Sequence, residues 1–143
     1  MPSRTLRKIA AMTVSSMLLA WPANATDDAL TLALEETGQR EYYCTTTFAL
    51  TKPDSVAYQE VNGFFYVFVG DEQVGRSKGA SFGFADGETS ASATFETPNA
   101  PCADVDSYVF VVGACMQNGS FTDRNACAAT IAPGGVVKEV RAR

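Results

Sequence analysis

Four cysteines, Cys44, Cys102, Cys115 and Cys127, carry the best-defined chemistry in this 143-residue chain. Their gaps of 58, 13 and 12 residues are too wide for a close C-x-x-C zinc pair, and there is no histidine to complete a metal site. An even number of cysteines suits a disulfide set in an oxidising compartment. The missing histidine also removes Ser-His-Asp and Cys-His nucleophiles. A serine–lysine pair would need S-x-x-K, whereas Ser77 and Lys78 are adjacent and would point to opposite faces of a strand. Asp104 and Asp106 are two carboxylates where calcium needs six or more oxygens. Gly70, Gly75, Gly79, Gly83 and Gly87 are scattered and do not gather before a helix as a phosphate loop does. These absences lead to the expectation of a non-enzymatic protein that uses no cofactor and no metal.

The first residues read as an address. Arg4, Arg7 and Lys8 precede an apolar run from Ile9 to Ala20, and Ala23-Asn24-Ala25 places small residues where signal peptidase cuts. Twelve apolar residues would reach about 18 Å as a helix, short of a ~30 Å hydrocarbon core. The expectation is a cleaved signal peptide, 1–25, followed by one domain, 26–143, in the periplasm or outside the cell. Of 11 basic residues, three lie before Ala25, so eight remain against 16 acidic ones and the net charge becomes −8. That balance disfavours nucleic acid and anionic membranes as partners.

The elements that must position the cysteines read as strands. Period-2 or β-rich runs occur at Tyr42–Leu50, Gly63–Val69, Ala80–Phe84, Ser90–Glu96, Ser107–Met116 and Ala126–Ala132. Asp86-Gly87 marks a hairpin, and Pro98 to Pro101 a break. The segment Asp28–Glu36 fits either a short helix or a strand. The strand reading is preferred, because it supplies the first of about seven strands in an all-β, antiparallel, immunoglobulin-like two-sheet sandwich. In that layout Cys44 and Cys102 fall at one end and Cys115 and Cys127 at the other. Of the three pairings that four cysteines allow, this favours Cys44–Cys102 with Cys115–Cys127. The competitor, Cys44–Cys115, would leave its remaining partners too far apart to bridge.

Two of these strands are apolar on both faces, Phe64-Phe65-Tyr66-Val67-Phe68-Val69 and Tyr108-Val109-Phe110-Val111-Val112. A sandwich strand has only one core face, so the outward sets should merge into an apolar surface. Either the aromatics (Phe64, Tyr66, Phe68, Tyr108, Phe110) or the valines (Val67, Val69, Val109, Val111) would form it. Large aromatics dominate cores, which favours valines outside. The aromatic set is the candidate partner-binding set should the reverse hold.

The succession YYCTTTFAL, NGFFYVFVG, GRSKGASF and ADGETSASATFE, within Tyr42 to Met116, resembles the small exported immunoglobulin-like proteins associated with curli fibres, which restrain amyloid assembly of the fibre subunit. The chain departs from them in its four cysteines, its longer tail and its acidity. The resemblance implies a chaperone or assembly inhibitor that shields a fibre subunit's aggregation-prone strand with a sheet face or edge. It transfers no individual functional residue. The second reading is a structural subunit of a surface fibre or adhesin, with Ala29–Leu34 donated as a strand to a neighbour.

Overall fold

The computed structural model describes residues 28–143; the expected signal peptide and its cleavage site lie outside them. The described residues form ten strands and one short helix. In order these are β1 (Leu30–Arg40), β2 (Tyr43–Thr51), β3 (Tyr58–Val69), β4 (Glu72–Arg76), β5 (Ala80–Gly83), β6 (Ser90–Pro98), β7 (Ser107–Gln117), β8 (Ser120–Phe121), α1 (Arg124–Thr130), β9 (Ile131–Pro133) and β10 (Val137–Ala142).

One sheet has the order β6-β2-β1-β9 and the other β10-β7-β3-β4, with β5 also on β3 and β8 on β7. The two-sheet β architecture and the pairing of the Phe-rich strand with the Tyr108 strand agree with the sequence reading. Two details differ. There are ten strands where about seven were expected, and two pairs, β1–β9 and β10–β7, run parallel. The remaining ladders are antiparallel. The ambiguous first segment is a strand, paired with β2 on one side and β9 on the other.

The core lies between the sheets because alternate residues of each strand turn inward. Along β6 the pattern is strict: Ala91, Ala93, Phe95 and Thr97 are buried, while Ser90, Ser92, Thr94 and Glu96 are not. Phe65 is the hub. Its ring stacks on Phe48 at 4.5 Å and on Phe95 at 5.0 Å, and lies 4.7 Å from Phe110. Offset and edge-on aromatic contacts of this kind add about 0.5–1.5 kcal/mol each beyond area burial.

Both favoured disulfides are present, Cys44–Cys102 and Cys115–Cys127. Gln39 braces the first of them. Its Nε2 donates to the carbonyls of Glu41 and Tyr43 across the β1–β2 turn, and its Oε1 accepts from the amide of Cys102.

The expected last strand, Ala126–Ala132, is instead α1 followed by β9. Asp123 caps the helix by accepting from the Ala126 amide at 2.8 Å. Ala126, Ala128 and Ala129 lack the side-chain entropy cost that opposes a helix. A helix this short is marginal alone; the bond from Cys127 to Cys115 holds it against β7. The β4 strand falls between Val69 and Ala80, where the sequence reading placed no strand. It is an edge strand with a mostly exposed sequence, so it carries no apolar alternation to reveal it.

Candidate binding face

The outer face of β10-β7-β3-β4 follows from register. Phe64 stands opposite Val111, Tyr66 opposite Val109 and Phe68 opposite Ser107. The intervening pairs, Phe65 with Phe110 and Val67 with Tyr108, point into the core. Phe64, Val109 and Val111, with half-buried Tyr66 and Phe68 packed against them, therefore form a second apolar cluster on the far side of the sheet.

This corrects both sets considered from sequence. Phe64, Tyr66 and Phe68 do face outward, but Tyr108 and Phe110 are 2% and 0% exposed and belong to the core. Val109 and Val111 are outward-facing, whereas Val67 is buried inside. Opposed residues of an antiparallel pair share a face, and here the register sets aromatics of one strand against valines of the other.

Cations frame the stripe. The Arg76 guanidinium, from β4, lies 3.9 Å from the ring centre of Phe64 and 6.0 Å from that of Tyr66. Arg141, from β10, lies 5.9 Å from the Tyr66 ring centre. The Lys138 ammonium sits 5.2 Å from the Phe68 ring centre and donates to the carbonyl of Gly70. Cations over aromatic faces are attracted by about 0.5–1 kcal/mol at exposed sites. Arg76 is in register with Tyr66, and Arg141 with Val111, so the two edge strands deliver their guanidinium groups to the same ring from opposite sides. Sequence reasoning missed these cations. The alternation Val137-Lys138 and Val140-Arg141-Ala142-Arg143 was a readable strand signal for β10; nothing local pointed to Arg76.

A shallow cleft of about 360 Å3 lies here, lined by Phe64, Tyr66, Arg76, Val111, Arg141, Ala142 and Arg143. A larger groove of about 640 Å3 runs beside the β6 edge, but its lining mixes Lys78 with Glu96 and carries no single sign of charge. Among the described residues no helix is long and apolar enough to cross a membrane.

No family model and no curated protein matches the chain. Among solved structures it is similar to IrmA from Escherichia coli, with a TM-score of 0.58 over 74% of this chain and 91% of that one, at 11% identity. That likeness speaks to the fold. It is consistent with the resemblance to small β-sandwich proteins, and no curli-specific family is shown. The two disulfides are consistent with an oxidising, exported compartment.

Proposed function

We propose that this chain is an exported, non-enzymatic binding domain that holds a protein partner against the outer face of β10-β7-β3-β4. The observation that carries the reading is the apolar cluster of Phe64, Val109 and Val111 with Tyr66 and Phe68, built outside a core that is already complete between the sheets. Phe64, Val109 and Val111 are themselves buried, so the apolar surface that a partner would meet on this face is that of half-buried Tyr66 and Phe68. The fitting role is a chaperone or assembly inhibitor that covers an aggregation-prone strand of a fibre subunit.

The test is a fibre-growth assay with a curli-type subunit. Sub-stoichiometric protein is expected to lengthen the lag before fibres form. A Tyr66→Ser/Phe68→Ser variant, with disulfides and far-ultraviolet circular dichroism intact, is expected to lose the effect. An unchanged lag with the native protein refutes the inhibitor role. The fibre-subunit alternative is disfavoured by β1, which is paired on both sides within its own sheet and so is not free for donation.

A further inference from the structure

A sheet edge is a row of unpaired N–H and C=O groups that takes up another chain unless something blunts it. Most edges of this fold are blunted. β5, β8 and β9 have only four, two and three residues. β4 has five, and a register shift between Val67 and Phe68 interrupts its ladder. β10 has a shift between Val137 and Glu139 and carries Lys138 and Arg141. β6 differs from all of these. It runs nine residues in one unbroken register with β2, and among the described residues no strand pairs with its other side.

Two flanking bonds fix which way the β6 backbone points. The Lys52 amide donates to the carbonyl of Thr89, and the Asn99 amide to that of Tyr42, both in the register of the ladder. Hydrogen-bonded pairs alternate along an antiparallel ladder. Ala91, Ala93, Phe95 and Thr97 therefore exchange bonds with β2, while the amides and carbonyls of Ser90, Ser92, Thr94 and Glu96 point to the free edge. Among the described residues no loop backbone bonds to them. β5, in the other sheet, packs near β6 without forming a ladder with it. The groove of about 640 Å3 lies beside the second half of this edge, bounded by Tyr43, Phe95 and the Lys78-Gly79 segment.

We propose that β6 takes up an extended strand of a partner protein, through main-chain bonds to Ser92, Thr94 and Glu96, with an apolar side chain of that strand entering the groove beside Phe95 and Gly79. This surface belongs to the other sheet from the aromatic stripe, and the inference stands apart from the reading of that face. Main-chain pairing supplies affinity in such additions, and pockets for alternate side chains supply selectivity. Charge selects the strand. On the outer side of the edge, Ser92 Oγ donates to Glu35 at 2.9 Å and Glu96 is exposed, so the flanking side chains are acidic. A neutral or basic strand with alternate apolar residues suits this edge. A second copy suits it less well, because each copy carries a net charge of −8 from Thr26 onward and would bring the same carboxylates.

The experiment titrates the intact, disulfide-bonded protein with a synthetic peptide of about seven residues, roughly the length of Ser90–Glu96, that alternates valine with lysine and threonine. Amide hydrogen exchange is read residue by residue. With saturating peptide, the amides of Ser92, Thr94 and Glu96 are expected to exchange at least about tenfold more slowly, while Ala93 and Phe95, already bonded to β2, do not change. Two further peptides are N-methylated, one at its valines and one at the intervening residues, which removes donors from opposite edges of the strand. One of them is expected to bind at least about tenfold more weakly than the parent, and the other as the parent does. Thr94→Pro deletes a donor that β2 does not use, a change edge strands tolerate; it is expected to abolish the protection, and Thr94→Val to keep it. Tyr66→Ser/Phe68→Ser is expected to leave peptide binding unchanged.

Unchanged exchange at Ser92, Thr94 and Glu96 overturns the inference. So does binding of both methylated peptides as tightly as the parent, which decides the matter even if Thr94→Pro does not fold. Tighter binding of a peptide with glutamate in place of lysine overturns it too, as does a dimer in sedimentation that Thr94→Pro abolishes. Protection confined to β3 and β7 would overturn the edge and leave the reading of the aromatic face standing.

Discussion

Gly63 sits where β7 passes closest to β3. A Cβ at this position would collide with the Val111 carbonyl oxygen and would come within 2.7 Å of the Phe110 ring. The register shift between Asn62 and Gly63 occurs at the same place. Gly63→Ala is therefore expected to destabilise the domain by about 2–3 kcal/mol, read from urea unfolding midpoints, since both sheet backbone and a core ring must move. An unchanged midpoint would mean that the two strands do not approach so closely.

The fold perturbs the ionisation of Tyr108. Burial pushes its phenol above the ordinary value of 10.0, and a hydrogen bond with the Thr46 hydroxyl partly offsets this. Below that ordinary value both folded and unfolded chains hold the proton, and the contribution to stability is complete. As pH rises past it, the unfolded chain releases the proton while the folded chain keeps it. Stability then falls until the buried phenol also ionises. Tyr108→Phe is expected to flatten this alkaline decline in urea titrations from about pH 9 upward, at a cost near neutrality of about 1 kcal/mol for the lost hydrogen bond. An identical alkaline slope in the variant would place the decline elsewhere.

Among the elements, the two disulfides close loops of unequal length. Cys44–Cys102 spans 58 residues and ties β2 to the segment entering β7; Cys115–Cys127 spans 12 and holds α1. Chain entropy predicts a loss of about 4 kcal/mol for a Cys44→Ser/Cys102→Ser pair and about 3 kcal/mol for Cys115→Ser/Cys127→Ser. Beyond this ranking, hydrogen exchange should differ in location. The second pair is expected to release α1 and leave β1, β2 and β6 protected, because those strands do not touch it in the ladder.

The elements also show where sequence patterns were sufficient. Strands with one polar and one apolar side, such as β6, were legible from alternation alone. The short helix was hidden by its setting: Asp123 and the alanines signal a helix start, but the same run fits a β-rich segment when length is ignored. β4, β8 and β9 are short, of five, two and three residues, and each takes its place from a longer neighbour.

At the scale of the molecule, the chain is expected to be exported and trimmed. Intact-mass analysis of the protein from its native envelope fraction should find Thr26 at the N-terminus and no alkylatable thiol. Retention of residues 1–25, or four free thiols, would contradict an oxidising destination. The topology supports a rigid body. β1 and β7 each have partners on both sides within their own sheets, and parallel additions at β9 and β10 close the ends of the two ladders. A face built on β3 and β7 is therefore held by the best-connected part of its sheet, which suits a pre-formed binding surface.

Residue types and their spacing pointed to two stacked β-layers and favoured Cys44–Cys102 with Cys115–Cys127 over the competing Cys44–Cys115 pairing, and the structure has the favoured pairs. Strand alternation and the ends at which cysteines fall are local quantities. They could not determine which side of β3 and β7 meets solvent, because a strand apolar on both sides carries no polarity to read. The register between the strands and the packing of the second sheet decided that, turning Tyr108 and Phe110 inward and Phe64, Tyr66 and Phe68 outward. The same holds for the cations: Arg76 and Arg141 lie far apart in sequence, and only sheet order brings both to one ring.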